Sequence, residues 1–116
     1  MVILKSQELQ LSKKDKKVAR AIIEKGLLKE FSKGLFDADS VLLDWKNNVR
    51  DNRESYHLLF KTVMEFDNHI EKRYDGMTGS KYIFIIAGQL IDGIIDETDL
   101  KEFSEDVQQV IINICR

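Results

Sequence analysis

The sequence predicts an all-α fold with four main helices in a single domain. Proline is absent and only six glycines occur in 116 residues, so few of the residues that interrupt helices are present. Apolar side chains recur at steps of three and four along most of the chain, which is the spacing of one helix face. The segment Tyr82 to Ile86 would also suit a buried strand, but there is no second strand to pair with it. A chain of this length has enough residues for one core and not for two.

The first helix is predicted at about 13–33, after a loose arm at 1–11 that lacks a clear period. Ser12 can accept a hydrogen bond from a free backbone N–H of the first turn, and Asp15 places an acid in that turn. Gly34 then stands where a helix would end in a left-handed cap. The apolar positions that support this helix are Val18, Ala19, Ile22, Ile23, Leu27 and Phe31.

A long second helix is predicted at 38–74, opened by Asp37 and Asp39 and followed by a turn at Gly76 and Gly79. One face stays apolar along almost its whole length. The face lapses only at 51–54, DNRE, where a kink that folds the chain into a compact four-helix monomer is the alternative. The apolar positions are Val41 or Leu42, Trp45, Val49, Tyr56, Leu59 or Phe60, Val63, Phe66, Ile70 and Tyr74.

The last two helices are predicted to form a small head at 77–116, which leaves 12–76 for the first helix and the long helix. Ser80 is the expected cap of the third helix, which contains the apolar run YIFIIAGQLI and ends at Gly93. Asp96 is the expected cap of the fourth, with Ile95 and Leu100 at the spacing of a hydrophobic staple. Its predicted inner face consists of Leu100, Phe103, Val107, Val110, Ile111 and Ile114.

The long helix implies a homodimer. Thirty-seven residues at about 1.5 Å each span roughly 55 Å, whereas a compact monomer of this length is roughly 35 Å across. The helix would therefore extend beyond its own domain while remaining apolar along one face. Extended apolar surfaces usually mark a protein partner, and the simplest partner is a second copy related by a two-fold axis.

Charge and composition limit the remaining functional classes. The formal net charge is −2, with no run long enough for a membrane span, no secretion-signal pattern and one cysteine, so a soluble cytoplasmic protein is expected. Residues 1–33 carry a net charge of +5 and residues 34–116 a net charge of −7. The basic run KKDKK at 13–17 keeps open the alternative of a small nucleic-acid-associated protein, although no aromatic residues interleave it.

Residue types that support catalysis or metal binding are scarce. A helical di-metal site needs two Glu-x-x-His pairs, and Glu54 with His57 supplies only one. His57 and His69 are twelve residues apart, so they point about 120° apart around a helix. Cys115 lies next to the end of the chain without a positioned base. We therefore expect no catalytic residues, no bound metal and no cofactor, and we do not expect an enzyme.

Two short motifs and one longer run resemble the fluorescence recovery protein family of cyanobacteria. AIIEKGLLKEF (21–31), with Lys25, Lys29 and Glu30, is similar to the family's Ala-Leu-Phe-x-Lys-Ala-Tyr-x-Arg-Glu segment, and KRYD (72–75) is similar to its basic-Tyr-Asp. The resemblance covers 21–31 and 57–112, and its head segment matches at Ser80, Phe84, Ala87, Leu90, Gly93, Leu100, Phe103, Asp106 and Ile111. It implies an all-helical, non-enzymatic regulator that dimerises through its long second helix. Such a regulator binds the orange carotenoid protein and accelerates its return from the photoactivated quenching state.

Several positions depart from the family pattern. His57 replaces a Trp, Phe60 and Lys61 replace His and Asp, and Asp67 replaces an Arg, while Val110 replaces a late Lys. The reversed charges of Lys61 and Asp67 can still attract each other across a two-fold interface, but they present the opposite sign to a partner. Two targets therefore stay open, the carotenoid protein and a different protein. The predicted interface and partner residues are Trp45, Tyr56, His57, Phe60, Lys61, Phe66, Asp67, Ile70, Arg73, Tyr74 and Asp75, with Phe84 and Phe103 in the head, where we expect them in the core.

Overall fold

The computed structural model describes residues 11–116 and is built of four α-helices. These are α1 (Lys13–Lys46), α2 (Asn52–Tyr74), α3 (Tyr82–Ile91) and α4 (Glu105–Ile114), with single 3-10 turns at Gly79–Lys81 and Glu97–Leu100. No strand occurs among the described residues, so the prediction of an all-α fold with four helices is confirmed. None of the helices described is both long and apolar enough to cross a membrane. The arm predicted at 1–11 falls outside the described residues except for Leu11, which is buried.

Helix α1 begins as predicted but does not end at Gly34. Ser12 accepts a hydrogen bond from the backbone N–H of Asp15 at 3.0 Å and caps the helix. The helix then continues through Gly34 to Lys46, so the predicted end near residue 33 is wrong. A Cβ atom at Gly34 would lie 2.8 Å from a ring carbon of Phe66 on α2. Glycine is therefore needed here for close contact between helices and not for a turn.

The predicted continuous helix at 38–74 is wrong, because the chain turns between α1 and α2. Asn48 has a φ of 61°. The N–H of Val49 bonds to the carbonyl of Asp44 at 2.9 Å, and that of Asn48 to the carbonyl of Trp45 at 3.0 Å, which is a Schellman ending. Asp51 caps α2 by accepting the N–H of Glu54 at 2.7 Å. The break thus precedes the suspected 51–54 segment, whose residues begin the next helix.

The chain divides into two compact units. The hairpin unit is Leu28–Asp75 and consists of the second part of α1, the turn and α2. The described residues of the other unit, here called the head unit, are 11–27 and 76–116. The head unit therefore contains the predicted head at 77–116 and, in addition, the first part of α1. In the hairpin unit Phe31 packs on Phe66 with ring centroids 6.0 Å apart, and Trp45, later on α1, bonds Asn52, which lies earlier on α2. The two helices therefore run antiparallel side by side.

The core of the head unit is formed by the apolar faces of its helices. Ile86, Leu100 and Ile111 are almost completely buried, and Phe103 and Val107 join them. The helical prediction for the apolar run is confirmed, but Phe84 is 49 % exposed, so its predicted core position is wrong. Phe84 shares its side of α3 with the exposed Ile91, seven residues later, and the core covers the other side of this helix.

The caps predicted for the head were partly correct. Gly93, with a φ of 72°, ends α3 as predicted. Ser80 does not cap α3, because it lies inside the 3-10 turn that precedes this helix. Asp96 is a cap with a capping box to Asp99, but it starts the 3-10 turn Glu97–Leu100 and not α4.

Candidate protein-binding surface

Exposed apolar side chains are concentrated on the hairpin unit. Of the fifteen large hydrophobic residues that are exposed in the described part of the chain, twelve belong to this unit. They include Leu35, which is 71 % exposed, and Tyr56, which is 70 % exposed. A continuous apolar surface is uncommon on a monomeric protein and usually marks a site of protein contact.

Five of these exposed residues, together with the half-buried Ile70, form a regular pattern that we call the hairpin seam. On α1, Leu28, Leu35 and Leu42 follow one another at intervals of seven residues, and all three are exposed. On α2, Tyr56, Val63 and Ile70 have the same interval, with Tyr56 and Val63 exposed and Ile70 half-buried. An interval of seven keeps side chains on nearly the same side of a helix and is the spacing of helix-bundle interfaces.

The seam contains a groove near the turn of the hairpin. Its volume is about 250 Å³, and it lies between α1 and α2. The indole N–H of Trp45 donates to the Asn52 side-chain oxygen at 2.8 Å, so its polar group is satisfied at the edge of the groove. Leu42, Tyr56 and Leu59 supply apolar walls. Because Leu42 and Tyr56 line the same groove, the α1 and α2 parts of the seam lie on one side of the hairpin.

A buried carboxylate joins the two helices of the hairpin unit. Glu30 on α1 is only 3 % exposed. Its Oε1 accepts hydrogen bonds from Arg73 Nη1 at 2.7 Å and from His69 Nε2 at 2.8 Å, and its Oε2 accepts one from the Tyr74 hydroxyl at 2.5 Å. We call these four residues the Glu30 cluster. It brings together the two short sequence motifs at 21–31 and 72–75 and holds the C-terminal end of α2 against α1.

The basic run at 13–17 contains a structural acid. Lys13, Lys14, Lys16 and Lys17 are exposed, but Asp15 is buried. One oxygen of Asp15 accepts the backbone N–H of Ser104 and the other accepts its hydroxyl, both at 3.0 Å. Asp15 thus satisfies a free N–H at the start of α4 within the head unit.

Metal-ligating side chains do not converge in the described residues. No cluster of three or more His, Cys, Asp or Glu side chains able to hold a metal ion occurs there. Burial raises the pKa of the Cys115 thiol, and its sulfur lies 3.5 Å from the carbonyl oxygen of Ala87 as a weak donor. A raised pKa leaves less thiolate at neutral pH, which is the reverse of what an activated nucleophile needs.

The predicted interface aromatics occupy different environments. Trp45, Tyr56 and Phe60 are exposed on the hairpin unit. Phe66 is half-buried against Phe31. Tyr74 is half-buried with its hydroxyl bonded to Glu30. The first three are therefore available to a partner, whereas Phe66 and Tyr74 mainly join the two helices to each other.

The predicted polar interface residues do not form one group. His57, Lys61 and Asp67 are all exposed on α2, and Asp75 is exposed directly after it. At about 100° per residue, Lys61 lies about 160° around α2 from the seam, while Asp67 lies about 40° from it. Arg73 is engaged by Glu30. The pairing of Lys61 with Asp67 across an interface stays a prediction.

Sequence reasoning missed Leu28 and Leu35 of the seam. Leu28 fell in the predicted first helix, Leu35 between the two predicted helices, and Leu42 on the apolar face of the second, so the interval of seven that joins them was not recognised. The interval itself is visible in the sequence and could have been found. Glu30 was noticed only as part of a motif, because its bonds reach residues about forty positions away.

No family model, curated protein or solved structure matches this chain. The likeness to the fluorescence recovery protein family therefore rests on the sequence motifs alone and stays a prediction.

Proposed function

We propose that this chain is a non-enzymatic, protein-binding regulator that works as a homodimer through the hairpin unit. The observation that carries the proposal is the seam, whose leucines and tyrosine are exposed to solvent in a single copy of the chain. Burial of a large apolar side chain contributes about 1.5–3 kcal/mol, so covering several of them at once is a substantial driving force for association.

The proposed regulatory action needs no chemistry. A protein that binds one conformation of its target more tightly than another shifts the target toward that conformation. The Glu30 cluster supports this role, because three bonds between α1 and α2 fix the two helices and keep the exposed face in one arrangement.

The sequence motifs suggest the class of target. By its resemblance to the fluorescence recovery protein, the dimer acts on a carotenoid-binding photoprotective protein or on another protein that changes conformation. Because Lys61 and Asp67 carry charges opposite to the family pattern, we expect weak or no acceleration when the chain is added to a photoactivated orange carotenoid protein. Recovery as fast as with a family member would show that these charges do not matter.

The dimer is tested by sedimentation velocity of the full chain over a range of concentrations. We expect the wild-type chain to self-associate and Leu35→Glu to be monomeric, because a carboxylate at the seam would be buried without a partner. Ser40→Glu is the matched control, since it adds the same charge to an exposed position of α1 roughly 140° away from the seam. A wild-type chain that stays monomeric at every concentration would overturn the dimer.

One further measurement distinguishes the proposed function from the alternative of a nucleic-acid-associated protein. Phosphate-driven binding to DNA decreases steeply with salt, so a protein that uses the exposed lysines at 13–17 would be retained on DNA at low salt and released as salt rises. We expect no such retention. Strong salt-dependent retention of a monomeric chain would favour the nucleic-acid-associated function.

A further inference from the structure

Contacts inside the hairpin unit fix which seam residues lie side by side. Phe31 packs on Phe66, Glu30 bonds His69, and Trp45 bonds Asn52. In this antiparallel register the seam has three layers, each with one residue from α1 and one from α2. The outer layer is Leu28 with Ile70, the middle layer is Leu35 with Val63, and the turn layer is Leu42 with Tyr56.

Two lines of apolar residues run along α1. One contains Phe31 and Trp45, and the other contains the seam leucines. Phe31 and Trp45 contact α2 within the hairpin. Leu28, Leu35 and Leu42 precede Phe31, Ala38 and Trp45 by three residues, and together the two lines have the alternating three-and-four spacing of a helix bundle. The first line therefore contacts α2 within the copy, although Phe31 and Trp45 remain 42 % and 41 % exposed. Leu28 and Leu35 of the second line are 58 % and 71 % exposed, and a bundle would cover them with a further helix.

We propose that a second copy packs on the seam with its turn at the opposite end, so that a two-fold axis passes through the middle layer. The two α1 helices then lie antiparallel across the interface, and the dimer is a four-helix bundle. Leu35 meets Leu35 of the other copy, and the outer layer of each copy fills the groove at the turn layer of the other. This inference rests on the proposed homodimer and specifies its arrangement.

The shapes of the outer and turn layers favour this arrangement. Leu28 is 58 % exposed in the outer layer, whereas the turn layer contains a groove of about 250 Å³. A cavity of roughly 150 Å³ accommodates benzene, so the groove has room for a large aliphatic side chain. With turns at opposite ends, each copy provides one outer layer and one groove, and both grooves are filled by symmetry. With turns at the same end, each groove would face the other groove and remain unfilled.

The seam face reaches the minimum area of a biological interface. From residue 28 to residue 46, α1 extends about 27 Å, and two helices of about 10 Å diameter give a width of about 20 Å. The projected face is roughly 550 Å² on each copy and therefore about 1,100 Å² for the pair. A biological interface should exceed about 1,000 Å², so the projected seam face is at the lower end of the possible range.

Cysteine cross-linking tests the arrangement in the full chain. Cys115→Ser removes the single native thiol, and new cysteines are placed at seam positions, of which Leu28, Leu35 and Leu42 are exposed. Under mild oxidation we expect Leu35→Cys to form covalent dimers at least tenfold faster than the control Ser40→Cys. We expect an equal mixture of Leu28→Cys and Leu42→Cys to cross-link faster than either variant alone, because about 21 Å separates the two Leu28 positions in this arrangement.

The same experiment identifies the competing arrangement. Preferential cross-linking of Leu28→Cys to Ile70→Cys would place both turns at the same end and overturn this inference. A chain that sediments as a dimer but shows no preference for Leu35→Cys over Ser40→Cys would also overturn it while leaving the homodimer in place. A chain that sediments as a monomer would remove both proposals.

Trp45 provides an independent measurement, because it is the single tryptophan of the chain. It is 41 % exposed and lines the groove in one copy. We expect its fluorescence to shift to shorter wavelength as the protein concentration rises, because Leu28 of the second copy covers the indole. Leu28→Glu should abolish this shift. An unchanged shift in Leu28→Glu would show that the outer layer does not enter the groove.

Discussion

Replacing Glu30 by Gln tests whether the Glu30 cluster stabilises the hairpin unit. The substitution preserves the shape of the side chain but removes its charge, and it turns one of the two acceptor oxygens into a donor. Glu30 is buried and its carboxylate accepts three hydrogen bonds. The NH2 group of the Gln amide would face at least one of these donors. Arg73, whose side chain is only 13 % exposed, would lose its ion pair with Glu30.

The expected loss of stability can be derived from these contacts. Hydrogen bonds to charged groups contribute about 1.5–3 kcal/mol, and breaking a buried ion pair costs about 3–5 kcal/mol. The His69 side chain is partly exposed, so water can replace one of the three donors' bonds. We therefore expect Glu30→Gln to lower the free energy of unfolding by about 2–4 kcal/mol.

Urea unfolding monitored by circular dichroism measures this loss at a fixed protein concentration. For an m-value of about 1.5 kcal/mol/M, the midpoint should decrease by about 2 M. Glu24→Gln is the control, because Glu24 is an exposed glutamate on the same helix and its substitution should leave the midpoint nearly unchanged. Tyr74→Phe removes a single donor and should lower the stability by about 1 kcal/mol. If Glu30→Gln and Glu24→Gln unfolded at the same urea concentration, the cluster would not hold the helices together.

Two further predictions concern the head unit. Gly26→Ala should destabilise the protein by about 1–3 kcal/mol, because the added Cβ would lie 2.3 Å from the side-chain nitrogen of the buried Gln89. This loss should exceed the gain from the higher helix propensity of alanine. A higher melting temperature in thermal unfolding would contradict this prediction. The raised pKa of the Cys115 thiol predicts slower reaction with a disulfide reagent at pH 8 in the folded chain than in urea, and equal rates would contradict it. Since folding favours the neutral thiol, its contribution to stability is complete below the unfolded pKa and is lost as pH rises through the folded pKa.

Local sequence signals were sufficient for the fold class and for two of the caps. The apolar run at 82–91 is helical as predicted, and Ser12 and Gly93 act at the predicted helix ends because each bonds or adjusts the backbone within a few residues. Asp96 caps a 3-10 turn in place of α4, and Ser80 is not a cap. Gly34 was misinterpreted, because the ring that requires a glycine there belongs to Phe66 on the neighbouring helix. Nothing in the residues around Gly34 distinguishes a helix end from a close contact.

The turn between α1 and α2 was also not predicted in its place, although a local signal for it was present in the sequence. Asn48 adopts a left-handed conformation that asparagine tolerates, so the two asparagines at 47–48 were a usable turn signal. The apolar stripe of the predicted long helix concealed this signal, because it remained in phase on both sides of the turn. For the candidate site, the α2 aromatics were predicted from periodicity, whereas the Glu30 cluster depended on the packing of two distant segments.

Gly26 and Gly34 within α1 affect the stability of this helix while the chain is still being synthesised. Each glycine weakens an isolated helix by about 1 kcal/mol, and both are placed for neighbours that come later in the sequence. Phe66 and Gln89 leave the ribosome well after α1 has emerged, at a synthesis rate of about 5–20 residues per second. For several seconds the nascent α1 therefore contains two glycines without the side chains that pack against them in the folded chain.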